Sequence, residues 1–155
     1  MKKTIFLSII WFCLIENVFC RKSNDNYLKT FFSSSEYITK QYSFDNETIL
    51  FSFVYSEDSN EIIAKGIFYT YENNILKSYL IIDNEKIYNN SGLLFQGIIK
   101  TQQFYGYKIN VIEINKCITT VFCTDLGKHV TEGPTFLWNS KQKVFTKYEI
   151  DRSQF

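Results

Sequence analysis

The feature that most restricts the fold of this chain is a series of short runs in which aromatic and β-branched residues alternate with polar ones. In Thr48–Ser56, every second residue from Ile49 to Tyr55 is large and apolar, so these side chains share one face of an extended strand. Similar runs recur about every ten residues and are separated by polar turns. The pattern predicts a mainly β single domain of about nine short antiparallel strands, in a curved half-barrel, a barrel or a sandwich.

From Tyr37 onward the chain is predicted to consist mainly of strands, and nine of them can be delimited. They are Thr48–Ser56, Glu61–Tyr71, Ile75–Ile82, Lys86–Tyr88, Leu93–Lys100, Phe104–Ile114, Ile118–Phe122, Thr135–Trp138 and Val144–Ile150. The fifth and sixth are expected to form a hairpin across residues 101–103, and Asp125–Pro134 is expected to be a polar loop. Before the strands, apolar residues at positions 27, 28, 31 and 32 have helical spacing and predict a short helix.

The N-terminus has the parts of a secretory signal peptide. Lys2 and Lys3 precede a mostly apolar segment from Thr4 to Ile15, which is too short to cross a bilayer. We therefore expect a signal peptide helix at residues 1–20, cleaved after Cys20, and a secreted, extracellular domain at residues 21–155. A lipoprotein in which Cys20 carries the lipid is the alternative.

The net charge argues against a nucleic-acid partner, and the length of the apolar runs argues against a transmembrane anchor. Cleavage would remove two of the 17 basic and one of the 16 acidic side chains, leaving 15 of each. A neutral chain lacks the basic surface that nucleic acids require, so no nucleic-acid partner is expected. No later apolar run is long enough for a transmembrane anchor.

Cys117 and Cys123 would remain after cleavage, and they form a possible disulfide in an oxidising compartment. In a straight strand their Cα atoms would lie about 20 Å apart at roughly 3.3 Å per residue. A disulfide needs Cα atoms within about 7 Å, so the pair would require a turn between them. Other partners for the two thiols therefore remain open.

Motifs for catalysis and metal binding are absent from the sequence. It has no Gly-x-Ser-x-Gly segment, and its one histidine, His129, cannot form a zinc cluster alone. We expect no enzyme activity, no cofactor and no metal site. A hydrolase that uses His129 as its base is the weakest of three functional hypotheses.

Two Asn-x-Ser/Thr sequons predict possible glycosylation of a secreted chain, at Asn46 and at Asn89. Both asparagines fall in predicted turns, where such acceptors are accessible.

Aromatic side chains are the remaining functional signal. On one face of a curved sheet they can line an apolar pocket for a lipid-like ligand, or they can simply fill the core. The possible ligand-lining residues are Phe51, Phe53, Tyr55, Phe68, Tyr79, Phe95, Tyr105 and Tyr107.

Two segments carry a family resemblance. The stretch Ala64–Lys77 (AKGIFYTYENNILK), followed later by Tyr107–Asn110 and Lys116-Cys117, resembles ependymin-related secreted proteins. The resemblance implies a curved antiparallel half-barrel, related to LolA-like lipid carriers, with an apolar cavity and a binding role.

The leading hypothesis is therefore a secreted, non-enzymatic β-rich protein that binds a hydrophobic small molecule or lipid. The alternative is a secreted effector or interaction protein that binds another protein through a surface loop or a sheet edge, and it predicts a filled core.

Overall fold

A computed structural model describes residues 26–73, 75–97 and 103–149. Residues 26–32 are helical, and a short 3₁₀ turn covers Asp125–Gly127. The strands are β1 (Ile38–Phe44), β2 (Glu47–Ser56), β3 (Ser59–Glu72), β4 (Ile75–Asp83), β5 (Lys86–Asn89), β6 (Gly92–Gln96), β7 (Phe104–Ile112), β8 (Cys117–Thr124), β9 (His129–Asn139) and β10 (Val144–Tyr148). The predicted signal peptide lies outside the described residues.

All ten strands belong to one antiparallel sheet that branches at β3. One edge of β3 pairs with β2, which in turn pairs with β1. The other edge pairs with β4 over Lys65–Glu72 and meets β7 only at Ile63, opposite Tyr107. Two arms therefore leave this edge, one running β4–β5–β6 and the other β7–β8–β9–β10.

The two arms curve toward each other and nearly close a barrel. Where β5 faces β10, the Asn89 side-chain amide donates a hydrogen bond to the carbonyl oxygen of Phe145 at 3.0 Å. The mainly β, single-domain fold with a barrel-like sheet is confirmed.

At one end of the barrel, three turns are joined by the carboxylate of Asp45. Asp45 and Asn46 form the two-residue β1–β2 turn with φ of 49° and 62°, values that Asp and Asn tolerate. Lys116, in the β7–β8 turn, lies 2.6 Å from the Asp45 carboxylate, and Ser140, in the β9–β10 turn, hydrogen-bonds to it. These hydrogen bonds, from Lys116 first and Ser140 second, hold the pKa of Asp45 below its usual range.

The core lies on both faces of β3. Consecutive residues Ile67 and Phe68 point to opposite faces, and both are fully buried. Phe68 faces the barrel interior with its β2 partner, Phe51. The opposite face is covered by the helical residues 26–32, where the ammonium of Lys65 lies 4.4 Å from the ring centroid of Phe31. The predicted short helix is thus confirmed.

Strand β1 lies in the segment from Tyr37 onward that was predicted to form strands, although no separate strand was delimited there. Two sequence-based details were wrong. In the described residues, β6 pairs with β5 and β7 pairs with β3 and β8, so the hairpin expected across residues 101–103 is not formed. The predicted loop Asp125–Pro134 contains the start of β9, whose exposed first half lacks apolar alternation.

The possible disulfide between Cys117 and Cys123 is corrected. Both cysteines are buried, both thiols are free, and they lie near opposite ends of the single strand β8. An extended strand holds residues six apart too far from each other for a disulfide. Burial raises the pKa of both thiols, so both are protonated at neutral pH.

Candidate functional site: an aromatic groove at the β2–β3 end

Five of the eight candidate ligand-lining residues are buried in the core. These are Phe51, Phe53, Phe68, Tyr79 and Tyr107. The other three, Tyr55, Phe95 and Tyr105, are half-buried. The candidates therefore divide between the barrel interior and its surface.

Aromatic rings fill the part of the interior where β2 and β3 pair. The ring centroids of Phe51 and Phe68 lie 3.9 Å apart, and those of Phe51 and Phe53 lie 4.7 Å apart, both in stacked geometry. The ring of Phe145 meets Phe68 edge-on, with centroids 5.8 Å apart. Such contacts leave no room for a ligand between these rings.

An open groove of about 670 Å³ lies at the end of the barrel where β2 turns into β3. Its walls are the end of β2 with the following turn, the start of β7 and the segment that leads into β1. We call it the aromatic groove, and its lining residues are Ser35, Glu36, Ile38, Phe53, Val54, Tyr55, Ser56, Glu57, Asp58, Ala64, Gln103, Phe104 and Tyr105.

Two β-bulges place side chains in this groove. Val54 pairs with Lys65 and Tyr55 pairs with Ile63, so Ala64 is an extra residue in β3. Similarly, Phe104 and Gly106 pair with consecutive residues of β8, which makes Tyr105 an extra residue in β7. A bulge redirects the side chains around it, and bulges are common beside binding sites.

The bulge in β7 occurs where this strand passes very close to β3. A Cβ atom on Gly106 would lie 2.3 Å from the carbonyl oxygen of Ile63, and the φ of Gly106 is 145°. Only glycine fits both the close approach and this conformation. Gly106 therefore allows the two strands to meet directly beneath the groove.

The groove has an acidic rim. The exposed side chains of Glu36, Glu57 and Asp58 line it, and none of its lining residues is basic. Within the described part of the chain, no ion pair involves these three carboxylates. The ammonium of Lys40, outside the lining, lies 5.5 Å from the ring centroid of Phe53.

A second, smaller depression of about 340 Å³ lies at the opposite end of the barrel. Its charged lining residues, Glu47 and Lys143, form an ion pair at 3.5 Å. Because the two charges are paired, this depression carries no unpaired charge in its lining, whereas the aromatic groove is lined by three carboxylates and no basic side chain.

His129 lies at the start of β9 with its side chain 70% exposed. Its Nε2 atom is 3.7 Å from a carboxylate oxygen of Asp125, longer than the hydrogen bond that orients a catalytic base. Across the described residues, no three His, Cys, Asp or Glu side chains are grouped to hold a metal ion.

The two sequon asparagines differ in their surroundings. Asn46 is exposed at the tip of the β1–β2 turn. Asn89 is half-buried, and its amide group bonds both to Phe145 and to the backbone N–H of Ser91.

Comparison of the chain with protein-family models, with curated proteins and with solved structures finds no match. The resemblance to ependymin-related proteins therefore stays a prediction. No helix in the described ranges has the length and apolar character that a membrane span requires.

Sequence reasoning identified three aromatic residues of the groove, Phe53, Tyr55 and Tyr105, and missed its other walls. Glu57 and Asp58 were not named as candidates, because they fall in a polar segment between two predicted strands. Ala64 and Phe104 gave no signal, because the bulges that position this part of the groove depend on how β3 and β7 meet.

Proposed function

We propose that this protein is secreted, is not an enzyme, and binds a hydrophobic small molecule or lipid in the aromatic groove. The observation that carries the proposal is the groove itself. Its volume of about 670 Å³ is within the range of about 300–1,000 Å³ that is usual for small-molecule sites. The half-buried rings of Tyr55, Phe104 and Tyr105 offer apolar surface that is accessible without opening the core.

The interior rings support this location over the centre of the barrel. Phe68 and Tyr107 are completely buried, and their neighbours are other aromatic rings. A ligand there would have to displace rings packed at the density of a protein core. A ligand in the groove displaces only water.

The binding test uses dodecyl maltoside, an uncharged amphiphile, below its critical micelle concentration. Isothermal titration calorimetry is expected to show saturable binding to the wild-type protein. Ala64→Trp, which fills the groove, should weaken binding by at least about tenfold. The control is Thr135→Trp, a bulky change at a half-exposed position of β9 that does not line the groove. Equal affinity of the wild type and Ala64→Trp would contradict the proposal.

A second candidate is an interaction protein that binds another chain through a sheet edge. The packed interior favours it, because this hypothesis needs no cavity. Strand β6 ends the strand order and carries Leu93, which is 52% exposed. Edge strands can accept a strand from a partner. A Leu93→Lys variant that loses a protein partner, with amphiphile binding absent in the wild type, would select this candidate.

A further inference from the structure

We propose that the aromatic groove selects amphiphiles with a positively charged head group, such as an alkylammonium. This inference rests on the proposed function, since it specifies the ligand of the same groove. It starts from the combination of half-buried aromatic rings with three carboxylates and no basic side chain.

The carboxylates lie on two separate segments that converge on the groove. Glu57 and Asp58 form the turn between β2 and β3, while Glu36 precedes β1. With Asp and Glu counted as formally negative, the rim carries three negative charges. Because no cation of the described residues pairs with them, these charges are available to a ligand.

The aromatic rings add a second attraction for a cation. Aromatic faces attract ammonium groups within about 6 Å of the ring centroid. The position of Lys40 provides an internal example, since its ammonium lies 5.5 Å from the ring of Phe53. An alkylammonium ligand would combine this attraction with burial of its chain against Tyr55, Phe104 and Tyr105.

The rim also disfavours other ligands. An anionic amphiphile, such as a fatty acid carboxylate, would place its head beside like charges, and no lining residue could neutralise it. An uncharged head would gain only from burial of the chain. The expected order of affinity is therefore cationic, then uncharged, then anionic.

The experiment compares three ligands with the same 12-carbon class of chain, all below their micelle concentrations: dodecyltrimethylammonium, dodecyl maltoside and dodecanoate. Titration calorimetry should give an affinity for the cation about tenfold above that of the maltoside, with dodecanoate weakest. The triple variant Glu36→Gln, Glu57→Gln, Asp58→Asn should bind the cation about tenfold more weakly, since exposed ion pairs contribute little individually.

The control variant, Glu72→Gln, Glu132→Gln, Glu149→Gln, removes three exposed carboxylates outside the groove and should bind as the wild type does. Raising the salt from 0.05 to about 1 M should weaken cation binding to the wild type, because salt screens exposed charges. Comparable affinity for all three ligands, together with loss of binding in Ala64→Trp, would overturn the charge preference and keep the groove as the site. Absence of binding by all three would overturn both proposals.

Discussion

The ring of Phe51 stacks on that of Phe68 across a register pair of β2 and β3, with centroids 3.9 Å apart and planes 9° from parallel. These residues were two of the eight candidates for lining a ligand cavity. Their mutual contact makes them core residues, and it moves the proposed site to the aromatic groove at the end of the barrel. This core pair is therefore distinct from the half-buried rings of Tyr55, Phe104 and Tyr105 that line the proposed site.

If Phe68 is a core residue, Phe68→Ala should lower the free energy of unfolding by about 3–5 kcal/mol, because the change removes buried surface and leaves a cavity. Urea denaturation followed by circular dichroism measures this. The control is Ile114→Ala, in a turn residue that is 94% exposed, which should change the unfolding free energy by less than about 0.5 kcal/mol. A loss below about 1 kcal/mol for Phe68→Ala would mean that its ring is not tightly packed.

Removing the buried hydroxyl group should affect the stability of the protein differently at Tyr69 and at Tyr107. The Tyr69 hydroxyl bonds to the Ser52 hydroxyl at 2.9 Å, whereas that of Tyr107 has no partner among the described residues. Burial raises the pKa of Tyr107 far above its usual value, so the hydroxyl stays neutral. Tyr69→Phe should cost about 1 kcal/mol of stability, and Tyr107→Phe should cost nothing or add up to about 1 kcal/mol. A larger loss in Tyr107→Phe than in Tyr69→Phe would contradict this assignment.

The Asp45 carboxylate predicts a specific acid sensitivity. The pKa of Asp45 in the folded protein lies below the unfolded value of about 3.9. The carboxylate therefore contributes its full stabilisation of the fold at pH values above the unfolded pKa, and this stabilisation is lost as the pH falls through the folded pKa. Asp45→Asn keeps a residue that tolerates positive φ and removes the charge. Urea midpoints of the wild type should exceed those of Asp45→Asn at pH 7, and the gap should be smaller at about pH 3. An equal gap at both pH values would argue against a role for the charge.

Gly106 and Gly92 both have positive φ, at 145° and 128°. Substituting each of them in turn distinguishes the cost of a steric clash between strands from the cost of backbone strain. A Cβ atom at Gly92 would meet no atom within 4 Å, whereas at Gly106 it would collide with the Ile63 carbonyl. Gly92→Ala should cost about 1–2 kcal/mol from strain. Gly106→Ala should cost roughly 3 kcal/mol or more, since the clash adds to a similar strain. Thermal unfolding measures both, and equal costs would show that β3 and β7 can separate.

The two sequons predict a single glycan when the protein is expressed in a eukaryotic secretory pathway. Asn46 is exposed in a turn, while the amide nitrogen of Asn89 bonds to the Phe145 carbonyl between the two arms. Asn46→Gln should abolish the mass loss on treatment with an N-glycosidase, and Asn89→Gln should leave it unchanged. A glycan that persists in Asn46→Gln would place it elsewhere.

Much of the fold could be predicted because the apolar alternation is local. Thr48–Ser56 was predicted within one residue of β2, since each odd-numbered position faces the core. The start of β9 could not be predicted, because His129–Glu132 is exposed, has only one apolar residue, and is held in the sheet by pairing with β8. Alternation of apolar and polar residues predicts a strand that has one buried face. It does not predict a strand that is exposed and is held in the sheet mainly by backbone hydrogen bonds.

The groove was predictable only in part, because sequence patterns are local and the groove depends on contacts between distant strands. Tyr55 and Tyr105 are aromatic, so they could be named as candidates from composition. Whether an aromatic side chain enters the core or lines the groove depends on the bulges at Ala64 and Tyr105, and these follow from the contact between β3 and β7. That contact joins residues more than 40 positions apart in the sequence.

The most direct test of the central claim is to map where an amphiphile binds, using ¹H–¹⁵N NMR during titration with dodecyl maltoside below its micelle concentration. Binding in the aromatic groove predicts chemical-shift changes at the amides of residues 54–58 and 103–105. It also predicts that the amides of Phe136 and Trp138, two residues of β9 whose side chains are buried in the core, do not shift. Changes centred on β8 and β9, or no changes at saturating ligand, would contradict the account.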